Sequence, residues 1–230
     1  MNANIRKGTF VVAHGAWTGA WSWQRVVDRL QAQGHLVIVP TLTGLGERSH
    51  LAGPDVNLDT HIADIVNEIV WKDLRGIVLV GHSYGGIVAM GVAEQLADRI
   101  DSFVFIEALV PANGQSFADL APGWELDGPL TDAPPSAPGD YKTEADRLWV
   151  DSKATPQPTA TITQKLSITD AFERIAEKTF IVAKDGGFEQ TAHRFRADPT
   201  WSVREIASGH DVPIDAPGEL AAMLADAIPM

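Results

Sequence analysis

The 230-residue chain contains no cysteine. That removes disulfide staples, thiolate metal sites and a cysteine nucleophile together. No apolar run approaches the length of a membrane span, and residues 1–8 have no hydrophobic leader core. A soluble cytoplasmic protein without a membrane partner is therefore expected. Basic residues are scarce: 18 Lys and Arg stand against 30 Asp and Glu, giving a formal net charge of -12. Such a surface repels phosphate backbones, so nucleic acid is not an expected partner. What remains is 45% hydrophobic content, enough for one α/β domain with a sizeable core.

Short apolar runs alternate with helical periodicity along most of the chain. Strands are predicted over 9–14, 35–40, 76–80, 101–106, 178–183 and 202–206. Trp23, Val26, Val27 and Leu30 mark a helix closed by Gly34. Ile62, Ile65, Val66, Ile69 and Val70 mark another, with Asn57 or Asp59 as its cap. Leu220, Met223, Leu224 and Ala227 mark the last, with Asp215 as cap and Pro217 in its first turn. Strands alternating with helices predict a six-stranded, mostly parallel sheet covered on both faces. Residues 111–170 break the rhythm. They hold Pro134, Pro135, Pro138, Pro156 and Pro158, yet also Phe117, Trp124, Tyr141 and Trp149. Disordered linkers seldom carry such aromatics. The segment therefore reads as a cap inserted into a core of residues 1–110 and 171–230, lying over the strand ends where open α/β sheets bind ligands.

Gly81-His82-Ser83-Tyr84-Gly85-Gly86 joins a predicted strand to a predicted helix. A serine there, with glycine two residues before and two after, has the form of a nucleophile elbow. The turn is strained, and side chains at the flanking positions would strike the neighbouring strand and helix. A hydroxyl attacks only after a base takes its proton, and imidazole has the right pKa for that. His210, in Ser208-Gly209-His210-Asp211, lies after the sixth strand and so at the same sheet edge as Ser83. His82 and His14 suit packing and bracing instead. A carboxylate must orient the imidazole. Asp185 is favoured, because the order Ser83, Asp185, His210 matches this kind of fold; Glu107, at the end of the fourth strand, is the alternative. Oxyanion donors are expected from the N–H of Tyr84 and, in His14-Gly15-Ala16-Trp17, the N–H of Ala16. Trp17, Trp124 and Trp149 are the expected substrate contacts.

With His14-Gly15-Ala16-Trp17, Trp21-Ser22-Trp23, Thr43-Gly44-Leu45-Gly46-Glu47-Arg48, the elbow and Ser208-Gly209-His210, the chain resembles the α/β-hydrolase superfamily. The likeness is to the branch of small esterases, plant methyl esterases and hydroxynitrile lyases. It implies the α/β-hydrolase fold with a helical cap and a Ser–His–Asp triad, carried by Ser83, His210 and Asp185. The lyases of the branch carry threonine and lysine where this chain has Gly15 and Asp211, which argues against cyanide release. Gly186 and Gly187 replace bulkier residues usual in the family, which keeps Glu107 in contention. The expected activity is cleavage of a small apolar or aromatic carboxylic ester or lactone through an acyl-enzyme on Ser83. No metal or cofactor is needed. A hydroxynitrile lyase-like activity and a non-catalytic small-molecule receptor are the alternatives, and a homodimer is the assembly to test for.

Overall fold

The computed structural model describes residues 6–229. Residues 1–5, most of the stretch read for a leader, lie outside it. Side chains alternate along each strand and sort the apolar residues onto two faces. Strand β1 (Thr9–Ala13) shows this directly: Phe10 and Val12 enter one core, Val11 and Ala13 the other. Helix α1 (Gln24–Ala32) follows, then β2 (Leu36–Ile38), α2 (Leu58–Trp71), β3 (Ile77–His82), α3 (Gly85–Leu96) and β4 (Ile100–Ile106).

The chain then leaves the sheet. Residues 107–176 join β4 to β7, and the segment expected as a cap carries helix α4 (Phe117–Leu120), strand β5 (Leu130–Thr131), helix α5 (Glu144–Asp151), strand β6 (Gln157–Pro158) and helix α6 (Thr159–Thr163). Strands β5 and β6 pair antiparallel, with Thr131 opposite Gln157. Strand β7 (Glu177–Ala183) returns to the sheet, followed by α7 (Glu189–Arg196), β8 (Trp201–Ile206), α8 (Val212–Asp215) and α9 (Pro217–Asp226).

The main sheet has the order β2-β1-β3-β4-β7-β8, and every pairing is parallel. Residues of α1 and α9 pack on one face with Val78, Val80, Val104 and Ile181. Residues of α2, α3 and α7 pack on the other with Leu79, Phe103, Phe105 and Phe180. Parallel pairing brings all carboxyl ends to one edge: Ala13 lies beside Gly81, His82 beside Ile106, Ile106 beside Ile181, and Ala183 beside Ile206. The residue after each strand therefore reaches one shared rim. Among the described residues no helix is long and apolar enough to cross a membrane.

Candidate active site

Ser83 sits between β3 and α3 with φ of 54°, a left-handed conformation that costs a non-glycine residue on the order of 1–3 kcal/mol. Its backbone is fixed on both sides. Its N–H donates to the Ile106 carbonyl at 3.2 Å, and its carbonyl accepts from Leu109 N–H at 3.1 Å and Gly86 N–H at 3.0 Å. The flanking glycines are required by contact distance. A Cβ on Gly81 would lie 2.7 Å from the Gly85 oxygen, and one on Gly85 would lie 2.0 Å from the Ala13 oxygen.

His210 Nε2 lies 2.9 Å from Ser83 Oγ. Three groups hold the imidazole. Its Nδ1 faces Glu107 Oε2 at 3.5 Å, the ring of Phe188 stacks on it at 5.3 Å, and His82 Nε2 donates to the His210 carbonyl at 2.9 Å. Burial opposes charge on His210, but the hydrogen bond to Glu107, followed by the negative charges of Asp211 and Glu107, outweighs it and raises the pKa above 6.5. His82 moves the other way. Burial, then the His210 charge, holds it at about 4, so it stays a neutral donor.

The carboxylate facing His210 is Glu107, not Asp185. Glu107 is fully buried and continues directly from β4 with φ of 45°. Its Oε1 accepts from Ala183 N–H at 2.7 Å, which leaves Oε2 for the histidine. Asp185 is exposed; its N–H donates to the Ser208 carbonyl at 3.1 Å, and its side chain meets no donor among the described residues. Gly186 explains the exchange. A Cβ there would fall 2.0 Å from Glu107 Oε2, so only glycine leaves room for the longer acid.

The N–H groups of Ala16 and Tyr84 find no protein acceptor among the described residues. They flank Ser83 from the loop after β1 and from the start of α3. The loop is braced from below: His14 Nδ1 donates to the Gly15 carbonyl at 2.8 Å, and its Nε2 accepts from Leu42 N–H at 3.0 Å. The Tyr84 side chain turns into the core, where its hydroxyl donates to His61 Nδ1 at 2.9 Å. Burial holds His14 and His61 at about 4.

A cavity of about 860 Å³ opens over Ser83 and His210, between core and cap. Trp17, Pro134, Tyr141 and Val150 line it, and Asp185 lies on its wall. The other two predicted tryptophans are elsewhere. Trp124 packs behind Trp17 with ring centroids 4.7 Å apart and faces a separate, smaller depression. Trp149 packs edge-on against Trp21 at 5.0 Å, with the Arg25 guanidinium 5.4 Å above its ring. On a helix one residue turns the side chain by about 100°. On α5 Val150 faces the cavity, so its neighbour Trp149 faces α1.

The model of the alpha/beta hydrolase family matches residues 10–223 of the chain. The chain belongs to that family. A carbendazim hydrolyzing esterase of Nocardioides sp. (strain SG-4G) is 36% identical to this α/β-hydrolase, over 94% of this chain and 98% of that protein. Methylesterase 2 of Arabidopsis thaliana is 31% identical over a shorter stretch, 48% of this chain and 43% of that one. Among solved structures, an extracellular α/β-hydrolase from a Paenibacillus species superposes with a TM-score of 0.84 at 26% identity, covering 97% and 100% of the two chains. These relatives make the chain an esterase-type hydrolase.

Other groups around the site of this α/β-hydrolase have no local signature in the sequence. Phe188 stacks on the imidazole from a loop. Tyr141 reaches from the cap to donate its hydroxyl to Asp211, next to His210. Gln157, a buried cap residue, accepts from Trp17 N–H. Each contact joins segments far apart in the chain.

Proposed function

We propose that the chain is a serine esterase acting through a Ser83–His210–Glu107 triad on a small-molecule carboxylic ester or lactone. The observation that carries the reading is the 2.9 Å approach of His210 Nε2 to Ser83 Oγ, with Nδ1 turned to a buried carboxylate. His210 takes the Ser83 proton as the oxygen attacks the carbonyl carbon. Glu107 accepts the Nδ1–H and stabilises the imidazolium without itself being protonated. The oxyanion meets the N–H groups of Ala16 and Tyr84. His210 then protonates the leaving alkoxide. Water, deprotonated by the same nitrogen, attacks the acyl carbon and releases the acid, restoring Ser83.

Trp17, Pro134 and Val150 offer apolar contact for the substrate, while Tyr141 and Asp185 put polar groups on the same cavity. This favours a compact, partly aromatic ester. The Nocardioides relative is named for hydrolysing carbendazim and the plant relatives for methyl esters. Both fit a small acyl compound in such a cavity. Fluorophosphonate labelling and turnover of p-nitrophenyl esters, methyl esters, lactones and carbendazim test the reading. Wild type is expected to label once per chain. Ser83→Ala is expected not to label and to lose about 10⁴-fold or more in kcat. Equal turnover by both proteins would refute the mechanism.

A further inference from the structure

Trp17 directly follows the proposed oxyanion donor Ala16, and its φ is 57°. A bulky aromatic residue is disfavoured in the left-handed region. Something must hold it there, and the cap occupies all three of its hydrogen-bonding groups. Its N–H donates to Gln157 Oε1 at 3.0 Å, its carbonyl accepts from Thr155 N–H at 3.0 Å, and its indole N–H donates to the Thr131 carbonyl at 3.1 Å. Thr131 and Gln157 are paired partners across β5 and β6, so one small ribbon supplies two of the three contacts.

Gln157 is fully buried and its orientation is fixed. Thr161 Oγ1 donates to the Pro158 carbonyl at 2.7 Å, so that oxygen can only accept from Gln157 Nε2, at 2.8 Å. The amide nitrogen is thereby committed, and the amide oxygen must face Trp17. Removing the amide oxygen would leave the partly buried Trp17 N–H without an acceptor, which is costly.

We propose that Gln157 is a positioning residue for the oxyanion hole. It clamps the strained Trp17 backbone so that the preceding Ala16 N–H is aimed at the carbonyl under attack. Cap seating and oxyanion stabilisation are then one event, because the clamp belongs to the cap and the donor to the core. The inference rests on the esterase reading above. Its signature is a loss in the transition state with little change in substrate binding.

The test compares wild type, Gln157→Met and Gln157→Glu on matched oxo- and thiono-esters, with rates expressed per active site from end-point fluorophosphonate titration. A sulfur anion accepts hydrogen bonds poorly, so an intact hole favours the oxo-ester. Gln157→Met, similar in shape but without the acceptor, is expected to lose about 10- to 100-fold in kcat on oxo-esters. Its KM should stay within about threefold, and its preference for oxo- over thiono-ester should narrow. Gln157→Glu, kept protonated by burial, donates its O–H to Thr161 and keeps an acceptor oxygen for Trp17 N–H. It should recover most of the rate and the preference at pH values where it stays neutral. If Gln157→Met does not fold, Thr161→Val removes the group that orients the amide and should narrow the same preference to a smaller extent. A wild-type preference in the folded variants, with or without a loss of rate, would overturn the clamp. A wild type that neither labels nor turns over would overturn the esterase reading itself, and the clamp with it.

Discussion

Glu107 and Asp185 both end strands at the rim that holds His210, and side-chain length together with Gly186 decides between them. The extra methylene lets Glu107 reach across the end of β7, bind Ala183 N–H and still face the imidazole. Chain order favours Asp185 and has no access to this reach. The one local trace is Gly186, whose missing side chain makes the space. Glu107→Gln is expected to lower kcat about 10³- to 10⁴-fold. It should also move the midpoint of the kcat/KM pH profile down, because it removes the contact that lifts the His210 pKa above 6.5. Asp185→Asn should change kcat by less than about threefold. Steady-state kinetics across pH separates the two, and the larger loss in Asp185→Asn would reverse the assignment. Ser83 and His210 were legible because an elbow and a loop histidine leave local patterns. Phe188 and Gln157 were not, because their partners lie at distant places in the sequence.

At the scale of elements, local chemistry predicts well where it acts alone. All six strands of the sheet follow from apolar runs. Asn57 caps α2 in a reciprocal box with Thr60, its side chain accepting from Thr60 N–H at 3.1 Å. Asn57→Ala should cost about 1 kcal/mol and lower Tm by about 2–4 °C. Asp59→Ala, which removes only a first-turn charge, should cost less, and thermal unfolding followed by circular dichroism would reveal the reverse order if the cap were misassigned. The last helix departs from expectation. Asp215 ends α8 and does not cap α9, and its side chain accepts from the cap residue Lys142 at 3.1 Å. Tertiary contact takes the side chain that local capping would use. The cap tryptophans went astray for a similar reason: aromatic content predicts burial but not which cavity or neighbour receives the ring.

At the scale of the whole molecule, burial lowers the pKa of four of the described histidines: His35, His14, His61 and His82. His14, His61 and His82 each have pKa values lowered from 6.5 to about 4, chiefly by burial. The unfolded chain takes up these protons near pH 6.5, whereas the folded chain resists until about pH 4. Stability should therefore fall as pH drops through that window, by up to about 4 kcal/mol per pH unit if all three titrate together. His210 has the opposite sign. Its raised pKa adds stability that is fully present below pH 6.5 and is lost as pH rises through the folded value, so it acts above the window of the other three and leaves their slope unchanged. Urea unfolding between pH 7 and pH 4.5 measures the slope, and a flat profile would mean that these sites take up protons without unfolding.

Because Glu107 and Ser83 each follow neighbouring strands, with His82 hydrogen-bonded in register beside Ile106, their separation is fixed by the sheet itself. The loop that follows β7 is thereby released from carrying the acid. Its position 185 can change in side-chain length or charge in descendants, provided glycine persists at 186 and the ring of Phe188 stays on the imidazole, while the reacting groups keep their places. Divergence toward new substrates has in that loop a free margin that a fold drawing its acid from β7 would lack.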